Sequence, residues 1–254
     1  VIETKSFANA QPILNADGSI AGIRHQDPIY GKLPAEPVVL PEPTVTNGQP
    51  VRGRYMHTSN GKKYYPMDPR PSEVHSEVIA HHLANRCRYN GATQHKIYRS
   101  KIFYSVAEHS ILVSRYIEEV LGKPEYALEG LLHDGSEAYN GDLIRPLKYD
   151  PLFRAPFQVV EEKNEWAGAL RFNLVYPYPK EVKIADEAVT AAEIEQMIIK
   201  DPNEDWTNGK PHDDSRVAPY EIQMLDPYPA KEAFLMRLEE LLRKRSKYAF
   251  IPSF

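Results

Sequence analysis

LLHDGSEAYNGDLIRPLK, residues 131–148, places His133 and Asp134 directly behind an apolar pair. Burying Leu131 and Leu132 draws both polar side chains toward the interior, where an imidazole or a carboxylate is costly unless paired or coordinated. Upstream, in VAEHSILVSRY, His109 sits in a segment of helical apolar period that includes Val113, Tyr116 and Ile117. Downstream, in KIADEAVTAAE, Asp186 lies among Ala185, Ala188 and Ala191, small residues that let neighbouring helices approach closely. Two imidazoles and two carboxylates form an N/O donor set that suits Mn²⁺, Co²⁺, Zn²⁺, Fe²⁺ or Mg²⁺. A His-Asp dipeptide is common by chance, and a single helical histidine is more often a hydrogen-bonded core residue. Spacing alone therefore leaves both readings open.

The surrounding sequence predicts a mainly α body. Val74, Val78, Ile79, Leu83 and Cys87 share one helical face, which predicts a helix ending near Arg88. Ser105 followed by Glu108 forms a capping box that opens a second helix, stopped by Gly122. A third helix starts near Pro124, buries Ala127, Leu128, Leu131 and Leu132, and runs to about Tyr139. Further helices are predicted over roughly 152–172, 180–199 and 230–245, the last with Phe234, Leu235, Leu238, Leu241 and Leu242 inward. Residues 200–227 are polar and proline-broken, and read as a loop.

Residues 1–71 differ from this body. They hold ten of the 22 prolines, which excludes a long helix there. Asp17-Gly18, Asn47-Gly48 and Asn60-Gly61 favour tight hairpin turns, and the β-compatible flanks of Asn60-Gly61 predict a hairpin. The stretch LPAEPVVLPEP reads as extended surface chain. The expected organisation is a proline-rich, hairpin-containing N-terminal extension over 1–71, followed by a bundle of about six helices over 72–254.

Composition narrows the function classes. The chain has 254 residues, 42% hydrophobic, with 16 Tyr, 8 Phe and 2 Trp, which argues against disorder throughout. The single Cys87 excludes an internal disulfide framework and a cysteine-built metal cluster. A net charge of −4 gives no footprint for non-specific nucleic-acid binding. No apolar run is long enough to span a bilayer, and the N-terminal residues carry no export signal, so a cytoplasmic location is expected.

The order His109, His133-Asp134, Asp186 resembles the HD superfamily of metal-dependent phosphohydrolases. VAEHS at 106–110, HDGSE at 133–137, GDLIRPLK at 141–148 and ADEA at 185–188 sharpen the likeness. They are similar to motifs of bacterial HD-type 5′-deoxynucleotidases and of bacteriophage HD phosphohydrolases, dATP triphosphohydrolases among them. The resemblance covers about residues 70–199. It implies an HD-domain helical bundle, one divalent ion held by His109, His133, Asp134 and Asp186, and a small-molecule (deoxy)nucleotide substrate. It also implies a homo-oligomer, in a bacterial cell or a phage-infected host.

By the same resemblance, Glu137 is the general base or acid toward the attacking water. Its spacing of three from Asp134 and four from His133 agrees with a shared helical face. Asp142 resembles the acid that orients water or substrate. Arg88 and Tyr89 resemble the pair that grips phosphate and stacks near the sugar or base, and Arg145 and Lys148 lie where the family's loop helps to hold phosphate. Plain structural roles stand beside these: a helix-end acid for Glu137, a turn cap for Asp142, a helix C-cap for Arg88, solvated charges for Arg145 and Lys148.

The chemistry implied is attack of metal-activated water on phosphorus. A 5′-deoxynucleotidase would release nucleoside and phosphate, and the alternative dNTP triphosphohydrolase would release tripolyphosphate. HD di-iron oxygenases need further histidines after the His-Asp pair, and none occurs here between His133 and His212. The additional histidines and G-Y-P element of HD cyclic-dinucleotide phosphodiesterases are also missing. A nucleotide-binding module without activity is the remote alternative.

Overall fold

The computed structural model describes residues 52–206 and 216–248, together with strand segments 11–14, 20–24, 45–46 and 49–50. The LPAEPVVLPEP segment lies outside the described residues. The chain forms two compact units, one of residues 1–75 with 139–173 and the other of residues 76–138 with 174–254. The protein is mainly α, as expected. Its α-helices are α1 (Ser76–Ala84), α2 (Val106–Glu119), α3 (Ala127–Leu132), α4 (Glu137–Asn140), α5 (Arg145–Lys148), α6 (Pro151–Phe172), α7 (Lys180–Met197) and α8 (Pro227–Tyr248).

Among the described residues of the first unit, three antiparallel two-stranded ribbons form, β1 (Gln11–Leu14) with β2 (Ile20–Arg24), β3 (Val45–Thr46) with β4 (Gln49–Pro50), and β5 (Met56–His57) with β6 (Lys63–Tyr64). The last encloses the expected Asn60-Gly61 turn, while Asp17-Gly18 and Asn47-Gly48 lie outside the described residues. Gly61, at φ +77°, supplies the left-handed residue that the Asn60-Gly61 turn requires. The helix α6 starts where its sequence directs. Asp150 caps it by accepting from the Leu152 N–H at 2.9 Å, and Pro151 occupies the first position, where no N–H is needed. Its buried Asn164 accepts from the Tyr64 hydroxyl (2.8 Å) and donates to the Pro66 carbonyl (2.9 Å), while Tyr64 stacks on Tyr139. Arg52 bridges Asp68 and Glu73, tying down the chain that leads out of the proline-rich segment.

Lys163, next to Asn164, is 2% exposed, and its ammonium meets the Met67 carbonyl at 3.4 Å. Burial pushes its pKa below 10.5, against a smaller opposing pull from Asp68. The unfolded chain binds this proton more tightly than the folded one. Lys163 therefore weakens the fold below its depressed pKa, and that cost is relieved as pH rises toward 10.5. Lys163→Met is expected to stabilise the protein at neutral pH by about 1 kcal/mol. It should also flatten the rise in stability as pH climbs toward 10.5, as thermal melts at successive alkaline pH values would measure.

In the second unit, α2 is the central helix and packs against α1, α3, α7 and α8. Val113 and Ile117 of α2 are fully buried with Ala185, Ala188 and Val189 of α7. Three expectations need correction. First, α1 ends at Ala84 rather than near Arg88, because Cys87 runs extended and bridges Ser105 at the start of α2. Arg88 N–H donates to the Tyr104 carbonyl (2.9 Å), and Val106 N–H donates to that of Arg86 (3.0 Å). Second, the helix expected through Tyr139 breaks after Leu132. Gly135 N–H closes a tight turn onto the Leu132 carbonyl, and a side chain at Gly135 would meet that oxygen at 2.9 Å. Third, Leu242 is 39% exposed, although Phe234, Leu238 and Leu241 are buried as expected.

Candidate metal centre

The site is built inside the second unit by α2, the turn after α3, and α7. Gly130 lets α3 approach α2, since a side chain there would collide with Ile117 and the Ser114 backbone. That close approach sets the rings of His109 and His133 5.3 Å apart, centroid to centroid. Asp186, near the middle of α7, closes the group. One ligand atom from each of His109, His133 and Asp186 lies within 4.8 Å of the others, which makes a possible metal-binding triad.

Hydrogen bonds settle which ring nitrogen each histidine offers. His109 Nδ1 lies 2.6 Å from the Glu193 carboxylate, and His133 Nδ1 lies 2.8 Å from the Gly130 carbonyl. Both partners are acceptors, so each Nδ1 carries hydrogen and donates. Each Nε2 then faces the centre. His109 Nε2 is 3.1 Å from Asp186 Oδ1, and His133 Nε2 is 3.2 Å from Asp134 Oδ1. Despite these distances, both Nε2 atoms are buried and have no hydrogen-bond partner among the described residues. The ligand atoms gather within 4.8 Å of one another without pairing, an arrangement open to an ion. Orphaned buried nitrogens of this kind are rare in folded proteins unless something binds them. The donor set of imidazole nitrogen and carboxylate oxygen fits a divalent cation.

Asp134 flanks the triad, with Oδ2 3.8 Å from His109 Nε2 and 3.6 Å from Arg88 Nη1. The side chain of Asp186 is 40% exposed, so the ring of donors is open on its side. Loss of water opposes ionisation of Asp186. The His109 imidazole 3.1 Å away and the charges of His133 and Arg88 overcome it and hold the carboxyl below the usual range. For His109, burial and Arg88 press the pKa down, but Glu193 and Asp186 outweigh them and raise it to about 9.

Glu193 escaped the sequence reading. It is fully buried on α7, seven residues after Asp186, and collects five donors. These are Arg88 Nε (3.2 Å) and Nη2 (3.1 Å), the hydroxyls of Tyr89 (2.7 Å) and Tyr104 (2.9 Å), and His109 Nδ1. Burial raises its pKa, but Arg88 and His109 bring it down to about 2, so it is ionised. The available signal was an acid two turns after Asp186, amid the small residues Ala188, Ala191 and Ala192.

The structure places the remaining candidates in three groups. Arg88 and Tyr89 stand beside the triad, both anchored on Glu193. Tyr89 has a left-handed backbone (φ +53°), and its phenol is held by the carboxylate rather than turned outward. Glu137 opens α4 and is half-buried, with its N–H on the Asp134 carbonyl at 3.0 Å. Asp142, Arg145 and Lys148 belong to the first unit. There Lys148 contacts Asp142 (3.6 Å) and Glu161 (2.7 Å), and Arg145 lies over the Tyr149 ring at 5.4 Å.

No helix among the described residues is long and apolar enough to cross a membrane. No protein-family profile matches the chain. Two relatives align over much of it. The uncharacterized protein RCAP_rcc00048 of Rhodobacter capsulatus is 33% identical over 195 residues, covering 74% of this chain and 95% of its own length. The uncharacterized protein YfdR of Escherichia coli is 30% identical over 147 residues, 58% of this chain and 74% of its own.

Proposed function

The chain belongs to the protein family that includes RCAP_rcc00048 and YfdR, and we propose that it is a divalent-metal phosphohydrolase acting on deoxynucleotides, a 5′-deoxynucleotidase of HD type. One observation carries the reading: two buried histidine Nε2 atoms, both without a hydrogen-bond partner, converge beside a half-exposed carboxylate. His109, His133 and Asp186 would hold the ion, with Asp134 as the fourth ligand. The motifs around those residues, similar to those of HD phosphohydrolases, supply the substrate class.

When bound, the ion supplies a Lewis acid that acidifies water at neutral pH and draws charge from a phosphoryl oxygen. Arg88 grips the phosphate. Its Nε–Nη2 edge is committed to Glu193, so it would meet the phosphate with its outer, Nη1 end. Glu137 takes the proton released as water adds to phosphorus. The P–O5′ bond breaks, and that proton passes to the departing 5′ oxygen of the nucleoside. Asp142, Arg145 and Lys148 enter this reading on the motif likeness alone.

The test is a panel of dNMPs, dNTPs and ribonucleotides incubated with Mn²⁺, Co²⁺ or Mg²⁺. Release of inorganic phosphate and nucleoside from a dNMP is the expected result. Tripolyphosphate from a dNTP would replace the nucleotidase reading with the triphosphohydrolase one. Nucleotide binding without turnover under any metal would leave a binding module and defeat the enzyme reading.

A further inference from the structure

Glu193 contributes one carboxylate to two otherwise separate tasks. Its Oε1 accepts from His109 Nδ1 and Tyr104, and its Oε2 accepts from Arg88 and Tyr89. His109 is a candidate metal ligand, and Arg88 is the candidate phosphate clamp. Among the described residues, neither has another partner that could do the same work. The His109 Nε2 can meet an ion only if Nδ1 keeps its hydrogen, and an anionic acceptor on Nδ1 both fixes that tautomer and raises the basicity of Nε2. Arg88 follows the extended Cys87, and among the described residues its nearest other acid is Asp134, at 3.6 Å. Without the paired bonds from Glu193 the guanidinium would turn toward Asp134, one of the ion's own candidate ligands.

We propose that Glu193 is a positioning residue shared by the metal and phosphate halves of the site. One oxygen sets His109 for the ion, and the other sets Arg88 for the phosphate and keeps it off Asp134. The inference rests on the metal-dependent phosphohydrolase reading and adds the residue that couples its two halves. An amide cannot substitute. A glutamine keeps one acceptor oxygen where five donors converge, and it turns its own N–H₂ toward the rest. If that N–H₂ faces His109, the imidazole must present a lone pair at Nδ1, and its hydrogen moves to Nε2, where the ion would bind.

The experiment compares wild type with Glu193→Gln in two calorimetric titrations, Co²⁺ into metal-free protein and inorganic phosphate into Co²⁺-loaded protein. The absorption spectrum of bound Co²⁺ is recorded alongside. Glu193→Gln is expected to weaken Co²⁺ binding about 10- to 100-fold, with an altered spectrum. Phosphate affinity should fall about tenfold, the scale of one charge-assisted bond. A folded variant that binds Co²⁺ and phosphate like wild type overturns the proposal, and so does one that loses only one of the two. If Glu193→Gln fails to fold, Glu193→Asp carries the test. It keeps the charge but is one methylene short, so weakened binding of both probes is expected and unchanged binding overturns the proposal. A wild type that takes up no Co²⁺ removes the metal reading together with this inference. Co²⁺ binding by wild type and variant alike removes this inference alone.

Discussion

Replacing His133 with alanine is expected to abolish retention of a divalent ion and to cut phosphohydrolase turnover on the order of a thousandfold or more. The triad offers two nitrogen donors, and His133 is one of them. Its Nδ1–H is committed to the Gly130 carbonyl, which holds the ring in place, and its Nε2 has no hydrogen-bond partner among the described residues. Removing it leaves one imidazole and carboxylates of which Asp186 is well exposed, a set too weak to compete with water for an ion. The same substitution costs the fold little, because the side chain lies at a turn and sheds one hydrogen bond to a carbonyl. Metal content of the purified protein, turnover and the circular-dichroism melt separate these effects. Full metal content and full turnover in a folded His133→Ala variant would sink the site. Asp134→Ala should follow the same pattern with a further consequence, since Arg88 Nη1 then loses the acid it faces.

The residues that meet at the centre differ in how openly the sequence announces them. His133 and Asp134 are visible because an apolar run in front of them forces them inward. His109 and Asp186 are visible because each interrupts an apolar or small-residue period. Glu193 obeys the same rule as Asp186, on the same helix two turns later, yet its role depends on donors from residues 88, 89, 104 and 109. No spacing within α7 encodes that convergence, because it comes from the packing of α2 and the 86–88 segment against α7. The third helix departs from its apolar period for a related reason. Periodicity carried it through Tyr139, but a single glycine at 135 converts the chain to three-residue turns after Leu132, and this is what presents His133 and Asp134 side by side. Helix existence was legible from apolar period. Helix ends were legible where a cap stood in the sequence, as at Ser105 and Asp150, and not where a distant segment ended the helix, as beyond Ala84.

Glu108 makes the same point with a measurable consequence. The capping-box reading is half realised, for Ser105 Oγ accepts from the Glu108 N–H at 3.1 Å. The Glu108 side chain, however, is buried and accepts from three successive backbone N–H groups more than a hundred residues away, Gln223 (2.9 Å), Met224 (3.1 Å) and Leu225 (2.7 Å). The segment that reads as polar loop is pinned there, with Ile222 and Met224 in the core and α8 beginning at Pro227. Burial lifts the Glu108 pKa above its usual value even though the three N–H groups oppose the rise. Its ionisation thus costs the fold more than it costs the unfolded chain, and the worth of the residue lies in satisfying the N–H groups, not in its charge. Glu108→Ala would leave these donors without their acceptor, at about 1–3 kcal/mol for each one that stays buried. The expected loss in chemical denaturation is about 3–5 kcal/mol, with earlier hydrogen exchange at residues 223–225. Glu108→Gln keeps an acceptor oxygen and gives up the costly ionisation, so it should lose less than half as much. Equal losses for the two variants would mean that charge, rather than backbone satisfaction, holds the segment on α2.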